Sequence, residues 1–365
     1  MEMSAVEVRA AVLGEDSRLS LRSLALAEPG SGEVLVRVVA AGVCHTDLTC
    51  ALPNSRVPRP VVLGHEGAGI VETVGPGVDQ LRPGDHVVMT FASCGRYRSC
   101  LRGEPAYCHQ SGPLNFGCAC TPLSDAGRPV HGGFFGQSSF ATHALANERN
   151  CVQVPGDLPL ELLAPLGCGV QTGAGAVLHE LDVRPGRSLA VFGAGVLGLS
   201  AVMAARHAGA SRIVAVDRVP ARVELALSLG ADAALLADGR DLADAVRALV
   251  PGGVDAAFDT TGVGAVMRAA FDSLAPRGTC GFVASPREGG DFGVPVRELL
   301  HGRSVKGIIE GNSNPHLFIP LLAELYRRGR FPFDRLVRFY DLADIDRAFA
   351  DMENGVTVKP VLRMP

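Results

Sequence analysis

Val191-Phe192-Gly193-Ala194-Gly195-Val196-Leu197-Gly198 is a G-x-G-x-x-G that closes one short apolar run and opens a longer one. The run before it, Ser188 to Phe192, reads as a strand, and Val196 to Ala208 reads as a helix. In that setting Gly193 permits a tight turn, Gly195 lets the backbone approach a pyrophosphate, and Gly198 lets helix pack on strand. The first helical turn, with the N–H groups of Val196 and Leu197, then offers the phosphates the positive end of the helix dipole. Asp217 follows the last glycine by 19 residues, at the end of the next strand, where a carboxylate can hold both ribose hydroxyls. A carboxylate there repels a 2′-phosphate, so NAD is expected over NADP; Arg218 and Arg222 soften that preference.

Outward from this turn, strands alternate with helix-length segments. The predicted strands are Ser188 to Phe192, Arg212 to Val216, Ala233 to Leu236, Val254 to Phe258, Gly278 to Val283 and Ser304 to Ile309, with helices such as Arg222 to Leu229 between them. Such alternation predicts an α/β domain built on a doubly wound, six-stranded parallel sheet. The first third has another rhythm: β-branched runs at Glu33 to Ala40, Gly69 to Val74 and His86 to Thr90, punctuated by Gly and Pro, predict an antiparallel, barrel-like domain. The expected division is residues 1–169, then the dinucleotide domain at 170–309, then a tail at 310–365. That tail carries a helix around Leu317 to Arg328 and a last strand, Thr357 to Arg363, and is expected to return to the first domain.

Composition narrows the function classes. The 365 residues carry 34 basic and 38 acidic side chains, a net charge of −4, with 47% apolar and 20% charged residues. This is a globular balance that argues against disorder and against a nucleic-acid surface. Ser188 to Ala205 lacks charge, but its glycines split it into strand, turn and helix, and it falls short of the ~20 residues of a membrane span. The N-terminus lacks the basic-then-apolar layout of a secretory signal, so a cytoplasmic location with reduced thiols is expected. Ten cysteines then read as metal ligands, nucleophiles or core fillers rather than disulfides.

The segments Cys44-His45-Thr46-Asp47, Gly64-His65-Glu66-Gly67-Ala68-Gly69 with Gly75, and Gly167-Cys168-Gly169-Val170-Gln171-Thr172-Gly173 offer two thiolates and an imidazole. Three such ligands make a zinc site with one open position. Together these segments resemble the zinc-dependent medium-chain alcohol dehydrogenases, whose signature Gly-His-Glu-x-x-Gly-x5-Gly is specific, and the resemblance covers essentially the whole chain. It implies a GroES-like catalytic domain beside the NAD domain. It further implies that Cys44, His65 and Cys168 bind a catalytic Zn2+, with Glu66 beside the metal and Asp47 orienting the ligands. The family mechanism that follows is a zinc Lewis acid acting on an alcohol, with NAD as hydride acceptor. Thr46 is expected to accept the alcohol's proton and His45 to lie by the pyrophosphate. Leu48-Thr49-Cys50-Ala51 supplies no further relay histidine, so water, Thr49 or His45 is the expected proton exit. The resemblance also places Thr172 and Lys359 on the cofactor, Lys359 at its phosphate.

Many relatives hold a structural zinc in a C-x2-C-x2-C-x7-C lobe. Within residues 92–110 this chain has Cys94, Cys100 and Cys108 in register, with Tyr97 in place of the second cysteine. A phenol is a poor zinc ligand beside thiolates. The lobe is therefore expected to be metal-free, the alternatives being a fourth thiolate from Cys118 or Cys120, or a three-thiolate site completed by water.

The aryl-alcohol dehydrogenases are the subfamily resembled most, through Phe134-Phe135-Gly136-Gln137-Ser138-Ser139-Phe140, Ala146 to Asn150 and Glu310-Gly311-Asn312-Ser313. Phe91, Leu114, Phe116 and Ile309 are the expected lining of an apolar alcohol pocket. Cys118 to Val130 departs from the subfamily. The resemblance thus implies hydride transfer between NAD and an aryl or allylic primary alcohol or aldehyde. Alternatives are a dehydrogenase or reductase of a specialised biosynthetic intermediate, a thiol-dependent formaldehyde dehydrogenase and, least favoured, a non-catalytic cofactor binder. A homodimer joined through the Gly278 to Ile309 region is expected, with a tetramer possible and no nucleic-acid or membrane partner.

Overall fold

A computed structural model describes residues 5–284 and 291–365. The chain divides into two units: Met1–Gly169 with Asn314–Arg327 and Asp334–Pro365, and Val170–Ser313 with Arg328–Phe333.

The first unit is built from two sheets. Five strands lie in the order Val61–Val62, Val6–Leu13, Leu19–Leu26, Leu123–Asp125 and Arg128–Val130. Cys118 to Val130 thus ends as a hairpin on the edge of this sheet. Seven strands form the other, in the order Cys151–Gln153, His86–Met89, Gly67–Val74, Glu33–Gly42, Lys359–Arg363 and Val337–Asp341, with His143–Asn147 also pairing to Glu33–Gly42. All its pairs are antiparallel except the last, Val337–Asp341 with Lys359–Arg363, which is parallel. Alternation explains the inward face: Val34, Val36 and Val38 are buried, and they pack with Val71, Val87 and Met89. A second core gathers Leu13, Leu63, Phe134, Phe140 and Phe349. The terminal strand pairs Val361 with Gly42, which brings the end of the chain beside the strand that delivers Cys44.

The second unit is a six-stranded, wholly parallel sheet. Its strands run Ala233–Leu236, Arg212–Asp217, Ser188–Phe192, Val254–Asp259, Leu274–Phe282 and Ser304–Gly307, the order 3-2-1-4-5-6 of a dinucleotide fold. Helices Val196–His207, Pro220–Ser228, Leu242–Leu249 and Gly264–Asp272 connect them. The fifth strand starts earlier than the sequence suggested and the sixth ends sooner. The tail helix is Pro315–Arg327, and the return of the tail begins at Asn314 rather than 310. Arg328–Phe333, carrying the fully buried ring of Phe331, groups with the second unit. Residues 285–290, inside the stretch expected to carry a dimer contact, lie outside the described residues. Among the described residues no helix is long and apolar enough to cross a membrane.

Gly193 has φ +95°, a left-handed conformation that a side chain resists. A Cβ on Gly198 would meet the Gly193 carbonyl oxygen well inside contact distance, whereas a Cβ on Gly195 would meet open space. Gly198→Ala should therefore force helix from strand at a cost of about 1–3 kcal/mol, lower the melting temperature and weaken NADH binding in a fluorescence titration. Unchanged NADH affinity would contradict this reading of the turn.

Candidate active site

The sequence around Cys44 explains how its sulfur is aimed. Cys44 is the N-cap of the helix His45–Ala51, and Asp47, third in that helix, turns its carboxylate back to the Cys44 N–H at 3.0 Å. The same carboxylate, fully buried, accepts from Gly64 N–H at 3.2 Å and pairs with His65 Nδ1 at 2.9 Å. With Nδ1 committed to Asp47, His65 presents Nε2, which is buried and makes no hydrogen bond among the described residues. Ligand atoms of Cys44, His65, Glu66 and Cys168 all lie within 4.8 Å of one another. Two sulfurs, an imidazole nitrogen left without a partner and an adjacent carboxylate are a donor set that fits Zn2+.

The electrostatics agree. A hydrogen bond from Cys168 is the first cause of a Cys44 thiol held well below its ordinary range; burial opposes this, and His65 and Lys359 reinforce it. Burial alone would lower His65, but Asp47, and after it Cys44, outweigh it and hold the imidazole above its usual value. A divalent cation at this point would take up the Cys44 thiolate that these groups already favour and would replace the proton on His65.

Lys359 is a correction. Expected on the cofactor phosphate, it is fully buried and spends its three donors elsewhere, at 2.8 Å from both Glu66 oxygens and 2.9 Å from the Val43 carbonyl. Burial would lower this ammonium, yet Glu66 and then Cys44 hold it above its ordinary value. Burial pushes the Glu66 carboxyl up against the opposing pull of Lys359. Register is the physical reason: Lys359 opens the strand beside Glu33–Gly42, so its side chain reaches the Glu66 carboxylate. Gly169 N–H adds a third contact to Glu66, at 3.2 Å.

Thr46, half-buried, has its hydroxyl 3.8 Å from Cys44 Sγ, and His45 is exposed. Thr49 donates its hydroxyl to the His45 carbonyl at 2.9 Å. Phe91 is buried in the core that holds Phe134 and Phe135. Phe135 stacks on the His65 ring with centroids 4.5 Å apart, and Phe134 meets it edge-on at 5.7 Å. Phe116 stands edge-on to Phe135 at 5.0 Å and is 40% exposed, with Leu114 exposed nearby in sequence. Phe135 holds a left-handed φ of +51° to do this. Gln137, unassigned by sequence reasoning, is buried and laces this wall to the ligand strand, donating to the His65 carbonyl at 2.9 Å and accepting from Gly67 N–H at 3.0 Å. The Phe-Phe-Gly-Gln motif was visible as a likeness, but nothing in it announced contact with His65.

In the second unit Asp217 is buried at its strand end; its oxygens accept from Ala194 N–H at 2.6 Å and Val219 N–H at 2.8 Å. The carboxylate therefore sits at the glycine turn. Arg218 is exposed, Arg222 half-buried, and Thr172 is bonded to Glu310 at 3.2 Å. Ile309 is half-exposed.

In the lobe, Cys94 Sγ lies 3.4 Å from Cys108 Sγ and 3.9 Å from Cys100 Sγ. The Arg96 N–H leads the causes that bring the Cys94 thiol down to about 7. Tyr97 instead stacks on His109. Cys118 is buried in the apolar core and Cys120 donates to the Gly132 carbonyl at 3.4 Å, so neither joins the trio. The expected alternative of a fourth thiolate is thereby corrected.

Residues 30–156 match the alcohol dehydrogenase GroES-like domain, and residues 196–326 match the zinc-binding dehydrogenase domain. The chain is 46% identical to the geraniol dehydrogenase of Castellaniella defragrans over 98% of each protein. It is similar to the crystal structure of an alcohol dehydrogenase zinc-binding domain protein from Burkholderia ambifaria, at TM-score 0.97 and 52% identity, covering 99% of this chain and 100% of that one. It is also similar to the benzyl alcohol dehydrogenase of Acinetobacter calcoaceticus, at TM-score 0.95 and 42% identity, with the same coverage.

Lys359→Met should leave Glu66 buried without its counter-charge and cost about 3–5 kcal/mol of stability in urea unfolding. Adding Glu66→Gln should restore much of it. A single variant as stable as the parent would show that the pair carries no weight.

Proposed function

The chain belongs to the zinc-dependent medium-chain alcohol dehydrogenases, and from that premise we propose that it moves a hydride between NAD and a primary alcohol that is benzylic or allylic. The observation that supports this choice is an aromatic cluster in which buried Phe134 and Phe135 meet the His65 imidazole and carry Phe116, whose ring is 40% exposed. A planar, π-bearing substrate gains from edge-to-face contact with such rings, and a short alkyl chain covers little of them. The names of the geraniol and benzyl alcohol relatives agree with this preference. A thiol-dependent formaldehyde dehydrogenase would need a polar, basic wall, and these rings are apolar.

When bound by Cys44, His65 and Cys168, Zn2+ supplies Lewis acidity toward the alcohol oxygen. The protein's own groups do the rest. Asp47 holds the His65 ring in one tautomer and orientation. Thr46 Oγ1 takes the alcohol's proton. The exposed His45 ring passes it to solvent, since the Thr49 hydroxyl is tied to a carbonyl. Lys359 balances Glu66, which keeps a second bare anion away from the two thiolates. The Asp217 carboxylate at the glycine turn favours NAD over NADP.

We place the enzyme in the cytoplasm, where ten cysteines stay reduced. We also place a homodimer across the edge strand Ser304–Gly307, around which Val296, Leu300, Val305 and Ile309 are exposed. Initial rates with NAD should rank benzyl, cinnamyl and geranyl alcohols about tenfold or more above propanol in kcat/KM, with turnover abolished in Cys44→Ser. Propanol, or a hydroxymethyl-thiol adduct, as the best substrate would overturn the specificity.

A further inference from the structure

Cys94, Cys100 and Cys108 take no part in the reaction above, yet their sulfurs all lie within 4.8 Å of one another. A closed structural zinc site needs four donors. Where relatives place the fourth, Tyr97 stacks its ring on His109 with centroids 5.4 Å apart and is 43% exposed. Among the described residues no other cysteine, histidine or carboxylate completes the trio. The set does not fit a structural zinc.

It fits a different chemistry. The Cys94 and Cys108 sulfurs are 3.4 Å apart, nearer than the 3.9 Å between Cys94 and Cys100, and the Cys94 N–H already donates to Cys108 Sγ at 3.4 Å. A disulfide requires about 2.05 Å between sulfurs, a small further approach for two side chains in one lobe. Cys94 and Cys100 are partly exposed, while Cys108 is buried beneath them. The Arg96 N–H points at Cys94 Sγ and the Gln110 N–H at Cys108 Sγ, each at 3.4 Å.

We propose that this lobe is a peroxide-oxidised thiol site in which Cys94 and Cys108 join as a disulfide and Cys100 remains a free thiol. The Cys94 sulfur attacks one oxygen of hydrogen peroxide, the O–O bond breaks, and Cys94 becomes a sulfenic acid as one water leaves. The Cys108 sulfur then attacks Cys94, the S–O bond breaks, and a second water carries away the oxygen and the Cys108 proton. Two thiols are oxidised by two electrons and one peroxide is reduced to two waters. The cross-link closes a ring between two segments that flank the substrate wall: Ala92 follows Phe91, and Asn115, beside Phe116, already bonds the Ala92 backbone at 2.8 and 3.0 Å.

The test is made on the full-length reduced protein, exposed to hydrogen peroxide, alkylated and digested with trypsin. Arg98 separates Cys94 from Cys100, and Arg102 separates Cys100 from Cys108, so the three fall in separate peptides; that of Cys108 also carries Cys118 and Cys120, and fragmentation of the linked pair assigns the bonded sulfur. The expected product is one linked pair, Cys94 with Cys108, lighter by two hydrogens than the free peptides, with Cys100 alkylated. Cys94→Ser and Cys108→Ser should abolish it and Cys100→Ser should keep it, with NADH binding reporting that each variant is folded. A linked pair that includes Cys100 would overturn the proposal. So would a second, stoichiometric zinc in the protein as isolated that blocks the oxidation.

Discussion

The Asp47 carboxylate is the point on which the catalytic unit depends. It is buried, its basic partner among the described residues is the imidazole it holds, and three N–H groups converge on it, from Cys44, Gly64 and His65. A buried carboxylate left short of donors is costly, so these three bonds are made together or the site fails together. They join a helix start, a strand entry and a ring, and so fix the Cys44 sulfur relative to His65 Nε2. A metal held by preformed ligands needs little reorganisation of the protein.

A second buried charge is arranged the same way. Glu66 neighbours the ligands but is satisfied by Lys359 and by Gly169 N–H, next to Cys168. The last strand of the chain, by pairing with Glu33–Gly42, thus sets the charge beside a residue nearly three hundred positions earlier. The aromatic cluster on His65 extends the same economy of parts, since the ring that would hold the metal on one edge carries Phe135 on its face.

Much of this was legible in the sequence. The glycine turn, Asp217 and the alternating strands fixed the dinucleotide unit, because each follows from short-range sterics and period. Cys44, His65 and Cys168 were legible only as a resemblance; their convergence depends on strand pairings that spacing does not reveal. Lys359 was misplaced for the same reason, since a lysine in a terminal strand says nothing of the carboxylate its register will bring opposite. Gln137 and the stacking of Phe135 on His65 were hidden because they rest on a left-handed backbone at a phenylalanine, which no propensity predicts. The lobe was legible in the negative: Tyr97 announced a missing ligand, and only the structure showed that neither Cys118 nor Cys120 replaces it.

The central claim is that Asp47 holds Cys44 and His65 in place for a catalytic zinc. The direct test is the zinc content of purified parent and Asp47→Ala proteins after equal dialysis against a mild chelator, with NADH binding as the check on the dinucleotide unit. The account predicts one zinc per chain in the parent and a strong loss in the variant, in line with the about 10–100-fold affinity cost of removing such a partner, while NADH still binds. An Asp47→Ala protein that keeps its zinc as tightly as the parent would contradict it.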